Sequence, residues 1–112
     1  MAKEKYTYDF DKEQGFQARK GGFKIAFDNG VVVSVQFTRL NYCTISRDEW
    51  IPMKENSSPN AEVAIYRQNK EGFITKQCPQ LDDRDNVCGY VDPEEVVKVL
   101  DWASRQQFGD DE

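Results

Sequence analysis

The run from Phe23 to Phe37 constrains the fold more than any other part of this 112-residue chain. Phe23-Lys24-Ile25-Ala26-Phe27 alternates in character, Asp28-Asn29-Gly30 interrupts it, and Val31-Val32-Val33-Ser34-Val35-Gln36-Phe37 resumes it. Alternation of period two is a strand signal, and Asn-Gly between two such runs marks a hairpin. A two-residue loop would set Phe27 opposite Val32, Ile25 opposite Ser34 and Phe23 opposite Gln36. A three-residue loop, Asp28 to Gly30, sets Phe27 opposite Val31, Ile25 opposite Val33 and Phe23 opposite Val35. Only the second gathers the apolar residues on one face, because a one-residue slip reverses every side chain. The expectation is a type I turn with Gly30 in the left-handed region, forming a bulge.

The rest of the chain supplies partners for that hairpin. Tyr6 to Phe10 alternates and reads as a short first strand, whereas Lys12 to Gln17 is polar and ambiguous. Arg19-Lys20-Gly21-Gly22 breaks regular structure. Arg39 to Asn60 reads as a long connection ending in the loop chemistry of Asn56 to Asn60. Ala61 to Tyr66 reads as a strand, and a turn at Asn69-Lys70-Glu71-Gly72 leads into Phe73-Ile74-Thr75 as a second hairpin of unfixed register. Gln80 to Gly89 is a polar, acidic loop. A helix then starts at Asp92, with Pro93 at its first position and Glu95 completing an arrangement like a capping box. At about 100° per residue, Val96, Val99, Leu100 and Ala103 form one stripe flanked by Val97 and Trp102, with Lys98, Asp101 and Arg105 opposite. The fold expected is α+β: an antiparallel sheet of about four to five strands covered by a C-terminal helix. Length allows one domain, residues 1–108, followed by an acidic tail at 109–112.

Charge and cysteine usage bound the function. Residues 1–54 carry nine Lys/Arg against seven Asp/Glu, and residues 55–112 carry six against thirteen. The acidic half makes direct binding of double-stranded DNA unexpected, since that affinity comes from cations on phosphates. No stretch is apolar enough to span a bilayer and the N-terminus has no apolar signal core, so a cytoplasmic location is expected. Cys43, Cys78 and Cys88 are odd in number. Their spacing matches no short zinc chelate, so buried or half-buried thiols are expected.

The sequence contains no histidine. That removes Ser-His and Cys-His nucleophile pairs, histidine bases and histidine metal sites. Asp82-Asp83-Arg84-Asp85 fails the calcium-loop pattern, because Val87 or Cys88 stands where the sixth-position glycine belongs. No catalytic residue, metal site or cofactor is therefore assigned. The binding residues singled out are Arg39, Asn41 and Tyr42, just beyond the most apolar strand, with Arg19, Lys20 and Trp50. An arginine fork bonds phosphate or carboxylate twice, and an exposed Tyr or Trp stacks on any base. Arg19 to Gly22 adds two cations beside two glycines, where backbone amides can approach an anion. Against this stands the plainer reading that Tyr42 packs, Cys43 is buried and Arg19 to Gly22 is an ordinary turn.

Phe27 to Phe37, followed by Asn41-Tyr42-Cys43, Glu62-Val63-Ala64 and Pro93-Glu94-Glu95-Val96, resembles a family of short bacteriophage and prophage proteins. The resemblance covers roughly residues 22–103 and repeats the element order derived above. Members often have glycine before Asn-Tyr-Cys, where this chain has Arg39-Leu40. The resemblance implies a phage-encoded, non-enzymatic accessory protein that counters host defence. The leading expectation is sequestration of a small anionic, nucleotide-type signal, at a site completed in a homo-oligomer. One alternative is a protein–protein inhibitor of a host defence complex, anti-CRISPR-like or using its acidic half as a DNA mimic. The other is a metal-dependent nucleotide hydrolase.

Overall fold

The fold was read from a computed structural model, which describes residues 13–38, 40–44, 57–81 and 85–108, with Arg19 by its backbone alone. The strand expected at Tyr6 to Phe10, the tail at 109–112, and Arg39 and Trp50 lie outside the described residues. Five antiparallel strands form one sheet in chain order: β1 (Gly15–Arg19), β2 (Gly22–Ala26), β3 (Val31–Gln36), β4 (Ala61–Arg67) and β5 (Cys88–Val91). One helix, α1 (Pro93–Ser104), follows β5. The α+β architecture with a C-terminal helix is thus the one expected. Among the described residues no helix is long and apolar enough to cross a membrane.

The central hairpin has the register of a three-residue loop. Ile25 pairs with Val33 and Phe23 with Val35. The Phe27 amide donates to Val31 O at 2.9 Å, and the Gly30 amide donates to Phe27 O at 2.9 Å. Gly30 has φ +89°, the left-handed conformation that the bulge requires. Val31, Val33 and Val35 therefore share a face with Ala61, Val63 and Ile65 of β4. Val99 and Ala103 of α1 close over them, joined by Val91, Cys78 and Leu81. Val96, Leu100 and Trp102 rim this core as the helical stripe required, whereas Val97 is 66% exposed.

Other expectations need correction. Gly15 to Arg19 is a strand, and the break after it is the plain turn the sequence allowed, Lys20-Gly21 as the two-residue loop of a hairpin. Cys88 to Val91 is a strand, not the end of the acidic loop; its register against β4 slips between Ala61 and Val63. The turn at Asn69 to Gly72 does return the chain to β4, but only through the Tyr66–Phe73 bridge and the Ile74 amide on Ile65 O at 2.8 Å. A 3-10 turn at Thr75–Gln77 follows at once. Thr75 drives this early departure. Its buried hydroxyl accepts the Ile65 amide at 2.9 Å and reaches Asn86 O at 2.7 Å, standing in for a strand neighbour.

The helix ends also differ from expectation. Asp92 is the N-cap residue, yet its side chain makes no capping hydrogen bond, and its carbonyl accepts the Glu95 and Val96 amides. The C-terminal end is held from the sheet instead. Asn29 donates its side-chain amide to Ala103 O and Gln106 O, both at 2.8 Å, while its Oδ1 accepts the Val31 amide at 3.0 Å. One turn residue thus shapes the hairpin and caps the helix, answering carbonyls that a helix end leaves without partners. Beyond it, the Arg67 guanidinium lies 3.6 Å from the centroid of the Phe108 ring.

Candidate functional site

Two clusters of polar and aromatic residues emerge on the sheet. The first is the exit of β3, where the sequence pointed. Thr38 donates its amide and hydroxyl to Asn41 Oδ1 at 2.9 and 2.7 Å, and the Asn41 amide returns a bond to Thr38 O at 3.0 Å. Asn41 Nδ2 then donates to Glu62 Oε1 at 2.9 Å, and the Tyr42 amide donates to Glu62 Oε2 at 3.2 Å. Tyr42 O accepts the Tyr90 amide at 2.9 Å, so this loop docks on the end of β5. Cys43 is buried behind it. Farther along, Thr44 and Asn60 clasp the chain through bonds of 2.8 and 2.7 Å.

Asn41 is therefore a brace, and a carboxylate occupies the donors that an anion would use. Among the described residues, the large apolar and aromatic side chains exposed at this end are Leu40 at 96%, Tyr42 at 59% and Tyr90 at 40%. Lys20 is exposed at the same end of the sheet. Its turn lies against the β3 exit, with Phe37 donating its amide to Gly21 O at 2.7 Å. A Cβ on Gly21 would stand 2.5 Å from Thr38 Cγ2. The fold thus brings Lys20, Asn41 and Tyr42 to one end. Of the other residues singled out, Arg39 and Trp50 lie outside the described residues and Arg19 is described only in its backbone.

The second cluster was not anticipated. It lies on the sheet face away from α1, where Lys24 aligns with Ser34 and Ala64. Lys24 Nζ donates to Glu13 Oε1 at 3.2 Å and to Tyr66 Oη at 3.0 Å, and Tyr66 Oη donates to Glu13 Oε2 at 2.5 Å. Glu13 reaches this place because its residue crosses the face before β1 begins. Gln68 holds the crossing through reciprocal bonds to the Glu13 backbone at 3.1 and 2.8 Å. Gly15, at φ +59°, then turns the chain into β1. A shallow groove of about 420 Å³ opens beside the cluster, bounded by Ser34, Ala64, Phe73 and Val87, with Phe73 edge-on to Tyr66.

The electrostatics of this trio keep Lys24 charged and Tyr66 neutral. Burial works to raise the Glu13 carboxyl, but bonds from Tyr66 and Lys24 and the lysine charge hold it below its ordinary value. Burial works to lower Lys24, and the bonds to Tyr66 and Glu13 outweigh it and raise it. Burial and the bond to Glu13 raise Tyr66. At neutral pH the trio is carboxylate, ammonium and neutral phenol. A general base or nucleophile needs the reverse shift in Lys or Tyr. Among the described residues no three Cys, Asp or Glu side chains converge to hold a metal ion.

The sequence signal for this second cluster is thin. Lys24 occupies a polar-face position of β2, but Glu13 and Tyr66 meet it only through a β4 register and a chain crossing that no local pattern encodes. No family model matches the chain, and neither does a curated protein or a solved structure.

Proposed function

We propose that this protein is a non-enzymatic binding protein that acts by contacting another protein, as an inhibitor of a host defence complex in a phage setting. One observation carries the choice of protein over small anion. The Asn41 side-chain amide and the Tyr42 backbone amide are committed to Glu62, and among the described residues Leu40, Tyr42 and Tyr90 are exposed at that end, beside Lys20. Exposed tyrosines grouped with an aliphatic residue suit the dry centre of a protein interface. The net charge of −7 over residues 55–112 favours a basic partner, with a salt-sensitive association rate. The phage setting rests on the sequence resemblance alone.

Sequestration of a nucleotide-type anion is the second reading. It draws on the exposed Tyr42 ring as a stacking platform and on Lys20 at the same end of the sheet. A nucleotide hydrolase has less support, because among the described residues the trio of interacting titratable groups holds Lys24 and Tyr66 away from the forms a base or nucleophile needs.

The test separates the readings. Protein purified with a defence-active host lysate should yield a one-to-one complex that survives gel filtration. Leu40→Asp and Tyr42→Ala should each weaken it by at least about tenfold, the mark of a central interface residue, while leaving the unfolding midpoint unchanged. Calorimetric heat with cyclic or linear nucleotides, lost in Lys20→Ala, would replace this reading with the second. A complex indifferent to Leu40 and Tyr42 would sink the proposed surface.

A further inference from the structure

The sheet has a second edge, opposite the one where Tyr42 docks on β5. Its outer strand is β1, Gly-Phe-Gln-Ala-Arg, and its hydrogen-bonding direction follows from the hairpins. Phe27 donates to Val31 O, so Ile25 and Phe23, two and four residues back, also direct their backbone groups at β3. Ala26, Lys24 and Gly22 then direct theirs at β1, to Gly15, Gln17 and Arg19. Phe16 and Ala18 are left with N–H and C=O groups pointing away from the sheet. Among the described residues no strand pairs on that side.

The side chains on this edge are equally unguarded. Phe16 is 86% exposed and Ala18 is exposed. Both project from the face that carries α1, but the helix lies over β3 and β4 and does not reach them. Exposed edges are ordinarily protected by lysine, proline, a bulge or a covering element. β1 contains no proline and no bulge, and its one charged residue, Arg19, stands at its end, beyond Phe16 and Ala18.

We propose that the outer edge of β1 pairs with the same edge of a second copy of this chain, antiparallel, about a two-fold axis at Gln17. That centre matches Gly15–Arg19 over its full length. It sets Phe16 opposite Ala18 of the second copy, and Ala18 opposite its Phe16. These are the residues whose backbone groups point outward, so each pair exchanges two hydrogen bonds. A one-residue shift in pairing would oppose outward groups to inward ones and form none. Each Phe16 ring covers the small side chain of Ala18 on the other copy.

The size of the contact sets its strength. Two phenylalanines bury about 150–250 Å² each, and even with the backbone the total stays under the roughly 1,200 Å² of a tight complex. The dimer is therefore reversible and concentration-dependent, and joins two five-stranded sheets into one. It uses the opposite edge from Leu40 and Tyr42, so it stands or falls independently of the function proposed above.

Sedimentation velocity of the whole chain over a wide concentration range tests it. The mass should rise from one chain toward two. Phe16→Asp should shift the dissociation constant at least tenfold, and so should Ala18→Pro, which removes only an outward N–H; both should keep the unfolding midpoint within a few degrees. Gln17→Cys places two thiols on the axis, where opposed Cα atoms in a pair without hydrogen bonds lie about 4.5 Å apart, within disulfide reach. Mild oxidation should link Gln17→Cys chains and leave Ser34→Cys chains unlinked. A monomer at every concentration overturns the proposal, as does a dimer untouched by both edge variants. So does a dimer in which Gln17→Cys fails to link.

Discussion

Glu13 ties the chain crossing to the sheet through its charge. It bonds Lys24 on β2 and Tyr66 on β4, and Val32 beneath this end of the face is fully buried. The carboxyl is held below its ordinary 4.5, so folding favours the ionised form. Its contribution to stability is present above pH 4.5 and is lost as pH falls below that value. Lys24 and Tyr66 are raised from 10.5 and 10.0. Their contribution is present below those values and is lost as pH climbs past them. Glu13→Gln keeps the shape and removes the charge. Urea midpoints should fall for the wild type between neutral pH and about pH 3, with Glu13→Gln starting lower and falling less over this interval. Parallel declines in the two proteins would mean that acid sensitivity resides in other carboxylates.

At the scale of elements, α1 is held by what it buries and by one residue of a distant turn. Asp92 offers no side-chain cap, whereas Asn29 bonds both Ala103 O and Gln106 O. Asp92→Ala should therefore change stability by no more than about 0.5 kcal/mol, as exposed sites usually do. Asn29→Ala deletes three hydrogen bonds and should cost about 1–3 kcal/mol, allowing for partial replacement by water. Denaturant unfolding of the two variants measures both; a larger loss for Asp92→Ala would reverse the assignment. The capping motif at Asp92 was readable in the sequence and the residue is at the helix start, but its side chain is exposed and does not make the bond. Asn29 was readable as a turn former, and its second role is fixed only when the helix end arrives beside it. The β2–β3 register was legible because both strands bury alternate residues, so parity leaves one solution. β1 and β5 were illegible for the opposite reason. Phe16 faces solvent, while Gly89 and the positive φ of Tyr90 disturb the alternation of a strand only four residues long.

For the whole molecule, coverage is uneven. A helix of twelve residues is about 18 Å long and 10 Å wide. Five strands at about 4.8 Å spacing present a broader surface. The helix covers β3 and β4, which also have strand neighbours on both sides, while among the described residues β1 has one neighbour and no helix above it. The sequence singled out Tyr42 because it follows an apolar strand, but could not reveal that Glu62, two strand positions into β4, occupies Asn41. Native-state hydrogen exchange should rank these layers. Amides of Val33, Val35, Val63 and Ile65 should exchange slowest, near the rate of global unfolding, and those of Phe16 and Ala18 fastest among strand residues in dilute solution. Raising protein concentration should slow Phe16 and Ala18 while leaving Val33 and Ile65 unchanged, because only the outward amides of β1 gain partners. Fast, concentration-independent exchange at Phe16 and Ala18 would leave β1 as an open edge, and equal protection across all five strands would contradict the layering itself.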